Sequence, residues 1–178
     1  MAIRIIAGEF GGRWVKTPDG AKTHPMGERE RAAIFNALVD DLAGAKVLDL
    51  FAGSGALGLE ALSRGAEAAV FVEKARAAGE VISENIAALG VEQRAILYKM
   101  PAKKMLQMGE KFDVIFADPP YSQPQWSTIQ ELGQMMNAGG KLVISFQKGT
   151  NRPLLAGFTL CSTKVYAGAA IDILEKTA

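Results

Sequence analysis

The segment with the most specific chemistry is Asp118-Pro119-Pro120-Tyr121, which ends an apolar run that begins at Ile115. Two consecutive prolines fix two φ angles and stop a strand abruptly, so that nearby carbonyls point in set directions. An exocyclic base amine is a weak nucleophile because its lone pair is delocalised into the ring. The Asp118 carboxylate and the Pro119 carbonyl can accept its two N–H bonds, while Tyr121 offers a face on which an extruded base can stack. We therefore predict that these four residues are catalytic and act on a planar amine.

A glycine-rich loop, Gly53-Ser54-Gly55-Ala56-Leu57-Gly58, forms a second constellation together with Glu73, about 20 residues further on. Glycines let backbone N–H groups approach a ligand where a helix begins. Glu73 can accept hydrogen bonds from the vicinal hydroxyls of a ribose. The pattern favours an adenosine-containing cofactor, which leaves both NAD and S-adenosylmethionine open. Asp49 at the preceding strand end would repel a pyrophosphate but suits a cationic amino group, which favours S-adenosylmethionine.

The elements that must position these residues alternate between short apolar runs and helical patterns. The predicted strands are residues 47–50, 69–72, 95–98, 112–116 and 141–146. The predicted helices cover about residues 28–42, the glycine loop to 62, 75–89, 103–108 and 125–136. Such alternation implies right-handed crossovers and a parallel sheet buried on both faces. Ligands of these sheets bind at the carboxyl ends of the strands, and this rule brings Asp49, Glu73 and Asp118 to one edge.

The two ends of the chain differ from this α/β pattern. Residues 158–161 and 170–174 have no room for a helix between them and predict an antiparallel C-terminal hairpin at the sheet edge. Residues 3–6 and 13–16 flank Gly11-Gly12 and predict an N-terminal β-hairpin. The predicted fold class is α/β, a Rossmann-like three-layer sandwich. Its domains are an N-terminal hairpin extension, residues 1–26, and a catalytic domain, residues 27–178.

Composition narrows the class of protein. The net charge is +1, and the chain has one cysteine and one histidine, which argues against disulfide staples, a metal site and histidine-based acid–base catalysis. The sequence shows no signal peptide pattern and no apolar run of about 20 residues, so we expect a cytoplasmic protein without membrane contact. Residues 132–171 contain no acidic side chain, and the basic ends of the chain can form a positive surface near the site.

Taken together, these motifs resemble the RsmD-type family of bacterial small-subunit rRNA (guanine-N(2)-)-methyltransferases, which have the class I methyltransferase fold. The resemblance runs nearly end to end. The segments that carry it are Arg4-Ile5-Ile6-Ala7-Gly8, Gly12-Arg13, Arg29-Glu30-Arg31, Ile34-Phe35-Asn36, residues 47–58, Phe71-Val72-Glu73-Lys74, Asn85, Asp118-Pro119-Pro120-Tyr121 and Lys164-Val165-Tyr166-Ala167-Gly168.

The resemblance implies S-adenosylmethionine as methyl donor and a guanine amine of 16S rRNA as acceptor, either in naked rRNA or within an assembling small ribosomal subunit. We expect the protein to be a monomer. The implied cofactor-binding residues are Asp49, Phe51, Ala52, Gly53, Ser54, Gly55, Gly58, Glu73, Lys74, Met100, Ala102 and Asp118. The implied RNA-binding residues are Arg4, Arg13, Arg29, Arg31 and Tyr121.

The chain departs from the family pattern at two places. Where the family has Arg-Pro-Thr before the first helix, this sequence has His24-Pro25-Met26. Where the family has an acidic or amide residue before the alanine after the third strand, this sequence has Pro101 before Ala102. We therefore expect the adenine to be held by backbone groups and apolar packing near Met100 and Ala102.

Three other functions remain to be separated from this one. A DNA adenine-N6 methyltransferase uses the same kind of tetrapeptide, although the chain is short for an added target-recognition domain. A non-catalytic RNA-binding module with a vestigial cofactor site is argued against by the intact Asp49, Gly53, Glu73 and Asp118. An NAD-dependent dehydrogenase would bind NADH and not S-adenosylhomocysteine.

Overall fold

Strands and helices alternate along most of the chain in the computed structural model, which describes residues 2–19 and 26–177. The strands are β1 (Ala2–Arg4), β2 (Trp14–Lys16), β3 (Lys46–Asp49), β4 (Ala68–Val72), β5 (Ala95–Tyr98), β6 (Phe112–Ala117), β7 (Met136–Gln147), β8 (Phe158–Val165) and β9 (Ala169–Lys176). The helices are α1 (Glu28–Ala37), α2 (Ala56–Ser63), α3 (Arg76–Leu89), α4 (Ala102–Met105) and α5 (Trp126–Gln130).

The central sheet has the strand order β5-β4-β3-β6-β7-β9-β8. Its first five strands are parallel, while β9 lies antiparallel between β7 and β8. The predicted parallel sheet, C-terminal hairpin and N-terminal hairpin are thus confirmed. Because β4, β3, β6 and β7 run in one direction, their carboxyl ends form a single edge.

Alternate residues of each central strand pack into opposite layers, as expected for a sheet covered on both faces. Val47, Phe71 and Phe116 belong to one buried cluster, with α2 and α3. Leu48 and Ile115 belong to the other, with α4 and α5. The sheet is therefore held on both sides, which makes the edge that carries the site a rigid platform.

Three helices are shorter than predicted, and one of them is α4, which ends at Met105 and not at residue 108. The helix expected over 28–42 ends at Ala37, where Leu38 leaves the helical region at φ −103° and ψ 12°. Leu38 and Leu42 stay buried, so the apolar spacing continues although the helix does not. The helix expected over 125–136 is α5 followed by a 3₁₀ turn, Leu132–Met135, because Met136 already starts β7.

The N-terminal hairpin is anchored to α2 through two buried side chains. Glu60, fully buried, accepts the N–H groups of Ile6 at 2.7 Å and Ala7 at 3.1 Å. The Ser63 hydroxyl accepts the Phe10 N–H at 2.9 Å. Residues Ile5, Phe10 and Val15 join the same buried cluster as the sheet. The described part of the predicted extension, residues 2–19, thus contributes side chains to the same core as the sheet.

Candidate active site

A cleft of about 1590 Å³ opens along the carboxyl ends of the parallel strands. Its lining includes the catalytic residues predicted from the sequence, Asp118, Pro119, Pro120 and Tyr121. It also includes most of the predicted cofactor residues, namely Asp49, Phe51, Ala52, Gly53, Ser54, Glu73, Lys74, Met100 and Ala102. The fold therefore gathers into one space groups that are up to 72 positions apart, from Asp49 to Tyr121.

The glycine loop and Glu73 hold each other in place. Gly53 has φ +56°, a left-handed conformation, and its N–H donates to Glu73 Oε2 at 2.9 Å. Glu73 Oε1 accepts the Ala75 N–H at 2.7 Å. Each carboxylate oxygen has a second lone pair, so Glu73 can still accept hydroxyl donors from a ligand in the cleft.

Gly55 and Gly58 lie behind the loop and do not line the cleft. Gly55, with φ +80°, caps the N-terminus of α2. A Cβ added to Gly58 would lie 2.3 Å from a ring carbon of Phe71, so α2 packs too tightly on β4 for any side chain there. In this structure these two predicted cofactor residues determine how the loop is placed and make no wall of the cleft.

Asp49 is buried beneath the loop, with an exposed fraction of 2%. Its Oδ2 accepts the Gly58 N–H at 3.0 Å. Burial raises the pKa of Asp49 from 3.8 to about 7, with smaller increases from the charges of Asp118 and Glu73, while the Gly58 bond opposes the rise. These influences show that the three carboxyl groups interact within one cleft.

Asp118 belongs to a hydrogen-bonded chain with Ser145 and Tyr121. Burial raises the pKa of Asp118 from 3.8 to about 6, and a hydrogen bond from Ser145 works in the opposite direction. The Tyr121 and Ser145 hydroxyl oxygens are 2.7 Å apart. Because a hydroxyl has one hydrogen, Ser145 donates to the ionised Asp118 and accepts from Tyr121. The chain orients both the carboxylate and the aromatic ring.

The two prolines present a free carbonyl beside this chain. The Pro120 carbonyl accepts the Gln123 N–H at 2.8 Å. No donor among the described residues reaches the Pro119 carbonyl. Asp118 and Pro119 thus form adjacent acceptors on a rigid turn, an arrangement that suits an amine with two N–H bonds.

The predicted RNA-binding arginines fall into two groups. Arg4, Arg13 and Arg29 are exposed on the hairpin and α1. Arg31 is only 2% exposed, its guanidinium donates twice to the Arg4 carbonyl at 3.1 Å, and it lies 3.9 Å from Glu60. Docking of the hairpin buries Arg31, so that it is not an exposed cation like the other three arginines, and its contact with RNA stays a prediction.

Sequence reasoning missed Ser145 and gave no role to Asn85. Ser145 is a lone polar residue near the end of an apolar strand, and this feature of the sequence could have indicated that it belongs to the site. The Asn85 side chain accepts the Lys16 N–H at 2.8 Å and donates to the carbonyls of Lys16 and Ser54 at 2.9 and 3.0 Å. It thereby ties α3 to both the hairpin and the glycine loop.

Within residues 2–19 and 26–177, no cluster of His, Cys, Asp and Glu side chains could hold a metal ion. None of the helices in this part of the chain is long and apolar enough to cross a bilayer. His24 and Pro25, where the sequence departs from the family pattern, lie outside the described residues.

Comparisons with known proteins agree with this geometry. The model of the family described as "Conserved hypothetical protein 95" matches residues 3–175. The Bacillus subtilis protein YlbH, provisionally named an rRNA methyltransferase, is 32% identical over 98% of this chain and 99% of its own length. The Escherichia coli ribosomal RNA small subunit methyltransferase D is 39% identical over 67% of this chain and 60% of its own length.

Solved structures give the same result. The Escherichia coli protein YhhF, provisionally described as a methyltransferase, superposes with a TM-score of 0.90 and 30% identity, covering 100% of this chain and 99% of that one. The family match covers nearly the whole sequence, and the fold match covers all of it. The chain therefore belongs to the family described as "Conserved hypothetical protein 95", that of the RsmD-type methyltransferases.

Proposed function

We propose that this protein transfers a methyl group from S-adenosylmethionine to the exocyclic N2 amine of a guanine in small-subunit (16S) rRNA. The observation that carries the proposal is the pair of acceptors formed by Asp118 and the Pro119 carbonyl in a cleft shared with Asp49 and Glu73. The names of its relatives support rRNA as the substrate class. The assignment of the guanine amine as methyl acceptor is based on the family resemblance and on the fit of two acceptors to two N–H bonds.

The charges of the cleft support a cationic cofactor. Burial raises the pKa of Asp49, and repulsion from the charges of Asp118 and Glu73 raises it further. A ligand with positive charge relieves this repulsion, whereas the pyrophosphate of NAD would add to it. S-adenosylmethionine supplies a methyl group bonded to a positively charged sulfur. Glu73 would bind its ribose hydroxyls, Asp49 would face its amino group, and Met100 and Ala102 would border its adenine.

The side chains of this protein then act mainly by positioning. Asp118 and the Pro119 carbonyl accept the two amine N–H bonds, which directs the nitrogen lone pair away from them. Tyr121 stacks on the base. On methylation, S-adenosylmethionine would leave as S-adenosylhomocysteine, and the nitrogen would lose one proton, which Asp118 or water would take. Since the pKa of Asp118 is raised to about 6, its carboxylate is mostly ionised at neutral pH and is a better base than an ordinary aspartate.

The test uses undermodified small ribosomal subunits, labelled S-adenosylmethionine and the full chain, followed by mapping of the label. We expect one labelled guanine, methylated on N2. The variant Asp118→Ala should lose transfer by at least about 100-fold yet retain binding of S-adenosylhomocysteine by calorimetry. Transfer that survived this change would contradict the catalytic assignment.

Duplex DNA and NADH serve as competing ligands in the same experiment. Methylation of adenine in duplex DNA, with none of rRNA, would favour the DNA adenine-N6 alternative. Binding of NADH without S-adenosylhomocysteine would favour a dehydrogenase. RNA binding with neither cofactor binding nor transfer would favour a non-catalytic module.

A further inference from the structure

The outer face of the N-terminal hairpin carries an exposed tryptophan between two cations. Val15 points into the core, whereas Arg4, Trp14 and Lys16 point outward, and Trp14 lies opposite Arg4 in the strand register. Trp14 is 67% exposed. An indole is a large apolar surface, so its exposure gains nothing for the fold and suggests a ligand.

A pocket of about 220 Å³ lies beside Trp14, between the hairpin and the start of α1. Arg4 and Glu28 contribute to its wall. It adjoins the active cleft, because four residues line both spaces: Ile3, Met26, Gly27 and Arg31. A ligand held in the cleft can therefore extend into this pocket without leaving the surface.

Arg31, which contributes to the wall of this pocket, is held in a fixed position. Two guanidinium nitrogens of Arg31 donate to the Arg4 carbonyl, but the third, Nε, has no hydrogen-bond partner among the described residues. Arg31 is 2% exposed. Burying a polar N–H without a partner costs free energy, so the hairpin and α1 hold Arg31 at the expense of some stability.

We propose that this pocket binds the base of an unpaired RNA nucleotide adjacent to the target, stacked on Trp14 and beside the Arg4 guanidinium. The proposal rests on the proposed function, since it places the neighbour of the methylated guanine. Aromatic stacking is tolerant of base identity, so the pocket would hold the strand without demanding one sequence.

The charges around Trp14 favour nucleic acid over a protein partner. Arg4 pairs with Glu28 at 2.8 Å and Lys16 with Glu84 at 2.7 Å, and all four side chains are about half exposed or more. Ion pairs exposed in this way are weak, so a phosphate can replace the carboxylate. An apolar protein surface would instead have to desolvate both cations.

Binding is tested without cofactor, using the full chain and a short unstructured oligoribonucleotide that contains one guanine. Trp14→Ala should weaken RNA binding about tenfold, and Trp14→Phe should recover most of the loss. The slope of log affinity against log salt concentration should stay the same in Trp14→Ala. In Lys16→Ala the slope should fall by about 0.7, the value for one lost phosphate contact on a single strand.

Two controls separate stacking from a general surface effect. Leu154→Ala removes an 85% exposed apolar side chain that lines neither space, and RNA affinity should not change. Trp126→Phe leaves Trp14 as the one remaining tryptophan, and its fluorescence should be quenched as RNA is added.

Unchanged RNA affinity in Trp14→Ala, together with unquenched Trp14 fluorescence, would overturn this proposal and leave the face to a protein partner. If the wild-type chain still methylates its guanine in that case, the proposed function is supported although the pocket proposal is contradicted. Quenching of Trp14 fluorescence by RNA, without methylation of any guanine, would support RNA binding in this pocket and contradict the proposed function.

Discussion

At the scale of single residues, two opposing effects set the pKa of Asp118. Burial in the cleft favours its protonated form, while the Ser145 hydroxyl favours the carboxylate. Both groups come from neighbouring parallel strands, since Ala117 pairs with Ile144 and their successors are Asp118 and Ser145. Ser145 is therefore a positioning residue, which acts on the reaction through Asp118.

Replacing Ser145 with Ala should move the acid limb of the pH–rate profile to higher pH. The hydrogen bond from Ser145 lowers the pKa of Asp118, so its loss raises that pKa above about 6. The active form is the carboxylate, hence activity near about pH 6 should fall more than activity near about pH 8. Single-turnover transfer measured across this range checks the shift.

The exposed Ser127 provides a matched control. Ser127→Ala makes the same chemical change on α5, away from the hydrogen-bonded chain, and its profile should coincide with that of the wild type. An equal loss of activity at every pH in Ser145→Ala would mean that Ser145 has a structural role alone.

At the scale of elements, the glycine loop depends on how closely α2 approaches β4. Gly58 is the contact point, since a Cβ there would lie 2.3 Å from the Phe71 ring. Its N–H also reaches Asp49. The third glycine of the fingerprint thus serves helix–strand packing, which in turn sets the position of the loop.

We expect Gly58→Ala to destabilise the protein by about 1–3 kcal/mol through overpacking. Alanine stabilises a helix by about 0.5–1 kcal/mol relative to glycine. A net decrease in the free energy of unfolding would therefore show that the packing clash outweighs this gain. Urea unfolding measures the change in free energy. Adding Phe71→Leu should recover part of it, because the smaller side chain removes the clash.

Gly168→Ala is the control for this substitution, since an added Cβ there would meet no atom within 4 Å. Its free energy of unfolding should change by no more than about 0.5 kcal/mol. A Gly58→Ala protein as stable as this control would contradict the close approach of α2 to β4.

At the scale of the whole molecule, the cleft contains two carboxyl groups whose ionised forms are disfavoured by burial. The pKa of Asp118 rises from 3.8 to about 6 and that of Asp49 from 3.8 to about 7. The folded state therefore holds these protons more tightly than the unfolded chain does. Stability from these groups is present at low pH and is lost as the pH rises from about 4 through 6 and 7.

Replacing Asp118 with Asn should raise the free energy of unfolding near about pH 8 while it abolishes transfer. The pKa shift corresponds to at most about 3 kcal/mol, and we expect about 1–2 kcal/mol because the cleft is open to water. The advantage over the wild type should shrink as the pH falls toward about 4. Urea unfolding at about pH 8 and about pH 5 measures both values.

Asp40 is exposed, so Asp40→Asn should leave stability at both pH values nearly unchanged. A destabilised Asp118→Asn protein at alkaline pH would contradict the account of the cleft. The expected trade of stability for activity is common at functional sites.

Local patterns in the sequence were enough to predict the layers of the fold and the main site. Alternating apolar runs predict a parallel sheet, and the chain direction of parallel strands then brings their carboxyl ends together. For this reason Asp49, Glu73 and Asp118 could be assigned to one edge. The prolines, and glycines at positive φ such as Gly53 and Gly55, act through their own backbone conformations. Their effect can therefore be predicted without knowledge of a partner.

The tertiary structure alone decided which side chains meet. Ser145 contacts Asp118 because β7 lies next to β6, and strand adjacency is not encoded in any one segment. Arg31 is buried because the hairpin docks on α1 and α2, although its spacing and charge are those of a surface residue. Such contacts join positions that are distant along the chain, and only packing of the whole core determines them.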